Sequence, residues 1–147
     1  MTALFASSPD GSSYLRTIAC AEIKISSIHG WGLFATRDIH EAEILCILDG
    51  QIVDWASHEA TRNAGRYGPA TGAIFTEWNA LDRKTLLARA FRTSYGYINH
   101  SRAPNLALRS PPLTLVASCD IGAGQELTLD YRAEPLRDEY VHDAGYL

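Results

Sequence analysis

A chain of 147 residues that is 46% hydrophobic and 20% charged can build one core and is too short for two ordinary domains. Thirteen Lys and Arg against seventeen Asp and Glu leave a net charge of −4, which excludes the basic footprint of a nucleic-acid binder and suits a cationic peptide partner. No run reaches the ~20 apolar residues of a membrane span, and the N-terminus lacks the basic start and apolar stretch of a signal peptide. A soluble, intracellular, cytoplasmic protein with no membrane partner is expected, with nuclear residence or delivery into another cell left open.

Residues 1–14 contain ASSPDGSS, a small and polar stretch that reads as an arm ahead of the domain. Over 15–28, Ile18 alternates with Cys20 and, in another phase, Ile23 alternates with Ile25, which predicts two strands or one bulged strand. HGWG then marks a turn. Residues 44–48 are an unbroken apolar run followed by Asp49-Gly50 and by Ile52 and Val53, the pattern of a buried strand turning through a hairpin into its neighbour.

From 54 to 93 the pattern weakens into an insert, in which SHEATRNAGRYGPATG offers a helical turn ending in Gly and AIFTEWNAL another strand. NLALRS and LTLVAS are short alternating strands, IGAG is a turn before ELTLDY, and 136–142 suit a terminal helix. The expected class is mainly β with minor helices. Strands and long helices do not alternate, which disfavours a doubly wound parallel sheet. Cys20, Cys46 and Cys119 are odd in number and widely spaced, with no CxxC pair and no His cluster, so three reduced, mostly buried thiols and no metal are expected.

Three segments, HGWGLFATRDI at 29–39, GYINHSRAPN at 96–105 and IGAGQELTLDY at 121–131, together resemble the SET-domain protein-lysine methyltransferases in order and spacing. Singly each has a plainer reading: a glycine turn, the N-glycosylation acceptor pattern Asn99-His100-Ser101, and a generic turn and strand. The resemblance implies a SET domain over residues 15–132, with small curved β-sheets around a threaded, pseudoknot-like segment in which NHS lies beside the final strand. It also implies S-adenosylmethionine as cofactor and methyl transfer to a lysine amine in a protein or peptide substrate, such as a histone or another basic tail. No direct contact with nucleic acid is implied.

By the same resemblance, Gly30, Trp31 and Gly32 surround the methionyl part of the cofactor; glycines permit a turn and a close approach, and exposed main-chain groups can hold the polar end of an amino-acid-like ligand. The alternative is a structural turn with Trp31 packed in the core. Asn99 and His100 would contact the cofactor with their donors and acceptors, with Tyr97 as a stacking neighbour. Tyr131 takes the catalytic position, where a phenol can orient the attacking amine.

Leu129, two residues earlier and on the same face by the period-two rule, stands where the family usually has Phe or Tyr. It would line the lysine channel and leave room for a methylated amine to react again. The family's Glu-Tyr before the hairpin Gly is replaced by Ile47-Leu48, so a second tyrosine is missing at channel position Leu48. Arg102 replaces a zinc-binding Cys, and no cysteine follows Cys119, so no zinc-bound terminal module is expected. The tail at 133–147 would close the channel instead, through Tyr140, His142 and Tyr146, or a homodimer would complete it. The rival reading is a catalytically silent SET-like module that binds a partner or senses the cofactor.

Overall fold

The protein is described by a computed structural model over residues 17–57, 77–89 and 92–135. The expected N-terminal arm, most of the insert with its helical turn, and the tail carrying Tyr140, His142 and Tyr146 lie outside the described residues.

Among the described residues ten short strands follow one another: β1 (Ala21–Ile25), β2 (Trp31–Ala35), β3 (Ile44–Ile47), β4 (Gln51–Asp54), β5 (Glu77–Ala80), β6 (Thr85–Arg89), β7 (Asn99–His100), β8 (Leu106–Arg109), β9 (Thr114–Ala117) and β10 (Glu126–Leu129). They make three small sheets, ordered β1-β2-β10-β7, β3-β9-β8 and β4-β6-β5. All pairings are antiparallel except that of β7 with β10. Two 3-10 turns, Ser94–Tyr97 and Tyr131–Ala133, flank that parallel pair in sequence.

In the first sheet Ile25 lies opposite Trp31, Ile23 opposite Leu33, and Leu127 also opposite Leu33. Side chains alternate between faces along a strand, so Leu33, Leu127 and Leu129 turn to one side. There they join Leu48, Leu87, Leu106 and Leu115 in one buried cluster drawn from all three sheets and their connections. Each such side chain contributes roughly 1.5–3 kcal/mol by leaving water. A smaller cluster of Trp55, Ala80 and Leu86, with Trp78 against it, sits on the β4-β6-β5 sheet. There the two indoles meet edge-on at 5.1 Å.

Several expectations need correction. Among the described residues of the first segment only Ala21–Ile25 is a strand; Ile18 and Cys20 are buried just ahead of it. The irregular pairing falls instead between Ile44 and Cys46, in β3 against β9. Asp49-Gly50 is not a hairpin, because β3 pairs with β9 while β4 pairs with β6. The Leu48 N–H is taken by Leu113 O at 2.8 Å, and a Cβ at Gly50 would sit 2.5 Å from Ala88 O. The dipeptide therefore forms a corner between two sheets, where one backbone passes close to another. Of the cysteines, Cys20 is buried, Cys46 is half-buried with its thiol pushed up to about 12 by burial, and Cys119 is exposed.

Candidate functional site

The parallel pairing sets Asn99 beside Thr128 and His100 beside Leu129, so the NHS segment and the last strand do lie side by side. Ser101 N–H donates to Leu129 O at 2.9 Å, extending that contact. Thr128 N–H is received by Asn105 Oδ1 at 2.9 Å, and Asn105 Nδ2 donates to Glu126 O at 2.8 Å. The Asn105 amide thus serves β10 as a strand partner would. Asn105 ends the second motif, but nothing in its local sequence announced this role.

His100 Nδ1 accepts the Tyr131 N–H at 3.0 Å. A backbone amide can only donate, so Nδ1 is unprotonated and the imidazole hydrogen of a neutral ring resides on Nε2. The two rings lie 5.2 Å apart and tilted by 46°. The Tyr131 hydroxyl donates to Ile98 O, which fixes the phenol beside the NHS segment. Asp130 accepts from Arg132 N–H at 3.0 Å and from the Arg132 guanidinium at 2.9 and 2.6 Å. These bonds, chiefly the guanidinium's, hold the Asp130 carboxyl down to about 2.

Asp130 also caps the turn that begins at Tyr131, and this explains a further correction. β10 ends at Leu129, so Leu129 and Tyr131 do not share a strand face. Leu129 is 4% exposed and belongs to the core, while Tyr131 packs on that core half-buried. Leu129 also lines a cavity of about 210 Å³ with Leu106, Leu108, Pro104, Ala133 and Glu134. Leu48 is fully buried in the same core.

The glycine segment has two different reasons for its glycines. Gly30 takes a positive φ of 47° with open space where a Cβ would be, and its carbonyl accepts Ser26 N–H at 2.8 Å to close the turn. Gly32 instead makes room for a side chain, since a Cβ there would lie 2.1 Å from Glu126 Oε1. Trp31 between them is 57% exposed, which rules out the packed-core alternative.

Asn99 Nδ2 reaches back to this segment, 3.1 Å from His29 O and 3.2 Å from Trp31 O. Gly30, Trp31, Gly32, Asn99, His100 and Tyr131 are thereby brought to one end of the first sheet. Tyr97 lies just before them, its ring covered by the Arg92 guanidinium at 4.2 Å. Among the described residues no group of three or more His, Cys, Asp or Glu side chains is placed to hold a metal ion.

The family model for the SET domain matches residues 30–132. The chain is 30% identical over 133 residues to the histone-lysine N-methyltransferase SUVR5 of Arabidopsis thaliana, a match covering 78% of this chain and 10% of that protein. It is 28% identical over 117 residues to an Aspergillus fumigatus protein named histone-lysine N-methyltransferase, H3 lysine-4 specific, covering 74% and 9%. The chain therefore spans about a tenth of the length of these curated relatives. With the matched model running from the glycine turn through the NHS segment to Tyr131 and Arg132, the chain belongs to the SET-domain family.

Proposed function

We propose that the protein transfers methyl groups from S-adenosylmethionine to the side-chain amine of a lysine in a protein substrate. The observation that carries this reading is the β7–β10 pairing, which sets Asn99 and His100 next to Tyr131 at the end of the sheet that also carries the glycine turn.

The residues suit the cofactor. Trp31 presents an exposed indole, Asn99 offers an amide oxygen to an ammonium group, and His100 offers a flat ring. When bound, S-adenosylmethionine supplies an electrophilic methyl group on a sulfonium. Tyr131 commits its hydrogen to Ile98 O, and a phenol oxygen can accept an amine N–H. Holding that amine in line is most of what such a displacement requires. A positive sulfonium held beside the substrate amine would favour its neutral form by lowering the lysine pKa.

A basic protein tail as substrate is supported by the names of the relatives and by the acidic charge balance. Three free cysteines suit a reducing, intracellular setting.

The test is incubation with methyl-labelled cofactor and either histones or cell extract, followed by mass spectrometry of the labelled protein. Label on a lysine side chain is the expected result. Cofactor binding without any transfer would overturn this reading in favour of the silent module.

A further inference from the structure

Glu126 and Ser26 have no part in the roles assigned so far, yet they make the densest polar cluster of the site. Asn99 Nδ2 has four acceptors in reach: Glu126 Oε1 at 2.9 Å, His29 O at 3.1 Å, and Trp31 O and Ser26 Oγ both at 3.2 Å. An amide nitrogen donates two hydrogens and an amide oxygen donates none. The flipped amide would face a carboxylate and two carbonyls with its oxygen, so only one orientation is compatible with this surround.

The carboxylate that dominates the surround is itself fixed. Ser26 Oγ lies 2.7 and 2.9 Å from the two Glu126 oxygens, and the hydroxyl donates its hydrogen to them. The Ser26 oxygen in turn accepts Ile28 N–H at 2.9 Å. Gly32 provides the space that Glu126 Oε1 occupies. Among the described residues no donor reaches Asn99 Oδ1, and the side chain bonds through its nitrogen alone.

We infer that Glu126 and Ser26 are positioning residues that hold the Asn99 amide in one flip state, presenting its oxygen as the acceptor for a cationic amine of the cofactor's amino-acid end. The inference rests on the methyl-transfer reading, and the two can fail separately.

The experiment is calorimetry with two ligands. S-Adenosylhomocysteine has the amino-acid end; 5′-methylthioadenosine keeps the nucleoside and the thioether but lacks that end. Glu126→Gln keeps the shape of the side chain but removes the carboxylate charge and replaces one acceptor oxygen by a donor, which loosens the hold on the Asn99 amide. The variant should raise the Kd for S-adenosylhomocysteine by about tenfold or more and leave that for methylthioadenosine within about twofold. Ser26→Ala should show the same selectivity with a smaller loss, and because it keeps the carboxylate charge it assigns the effect to position rather than to charge. It also carries the comparison if Glu126→Gln does not fold. Equal loss for both ligands, or no loss for either, overturns the inference. A wild type that binds neither ligand overturns the methyl-transfer reading beneath it.

Discussion

Two polar clusters in this domain contrast in how deeply their charges are buried. On the β4-β6-β5 sheet, Arg89 and Glu77 have side chains 1% and 8% exposed and meet at 2.7 Å. Arg89 also donates to Asp49 O at 3.0 Å and to Asn79 Oδ1, while Glu77 accepts Thr93 N–H at 3.1 Å and Thr93 Oγ1–H at 2.7 Å. The cluster ties the corner at Asp49, two strands and the turn before NHS to one another. Around Ser26, Glu126 and Asn99 the bonds are part-buried or exposed, and an amide oxygen is left over. A buried charge must be matched inside the protein, whereas a recognition site keeps a group in reserve for its ligand. The first arrangement ties the architecture together, and the second suits the cofactor binding proposed above.

The largest expected effect breaks the first cluster. Arg89→Ala strands the Glu77 carboxylate in a buried position and should cost about 3–5 kcal/mol, read as a lower midpoint in urea unfolding. The folded fraction should still bind S-adenosylhomocysteine with wild-type affinity. If stability barely moves, water must reach Glu77, and the contrast between the two clusters collapses.

How far the sequence could anticipate this contrast depends on the range of each interaction. The motifs around Gly30, Asn99 and Tyr131 were legible because each is local, and the short strands were legible from their alternation. Glu126 bonds Ser26 across 100 positions in sequence, and no periodicity signals such a pair. Arg89 and Glu77 lie at the edge of the weakly patterned insert, where a charged pair reads as surface. Asp49-Gly50 suited a hairpin, but which partner each flanking strand takes was decided by β9 and β6. Only the early end of β10 had a visible signal: Asp130 is a good capping residue immediately before Tyr131.

A smaller effect separates chemistry from stability beside the second cluster. Tyr131→Phe keeps the ring against the core and removes the hydroxyl that donates to Ile98 O. Methyl transfer should fall at least about tenfold, equivalent to ~1.4 kcal/mol of barrier. Stability should fall by only the ~0.5–1.5 kcal/mol of one hydrogen bond. Cofactor affinity should hold, since Tyr131 meets His100 through its backbone N–H. A variant with wild-type turnover would remove Tyr131 from the reaction and leave it as a packing residue of the turn.

The smallest effect lies where the two regions touch. Glu134 follows the Tyr131 turn, accepts the Tyr95 hydroxyl at 3.1 Å and lies 3.4 Å from Ala80 N on β5. It thus links the C-terminal turn to the insert sheet. Burial holds its carboxyl above the ordinary value of 4.5, outweighing the hydrogen bonds and the Arg89 charge that pull it down. A carboxyl whose pKa is raised on folding keeps its proton in the folded state after the unfolded chain has lost it, so its contribution is fully present below the unfolded value and is lost as pH rises through the folded one. Glu134→Gln cannot ionise and retains an oxygen for Tyr95. Its melting temperature relative to wild type should therefore be lowest near pH 4 and climb towards pH 8, with the other carboxylates cancelling in the difference. A difference that stays flat over that range would mean Glu134 ionises freely in the folded protein, and the link between the regions would then be open to water.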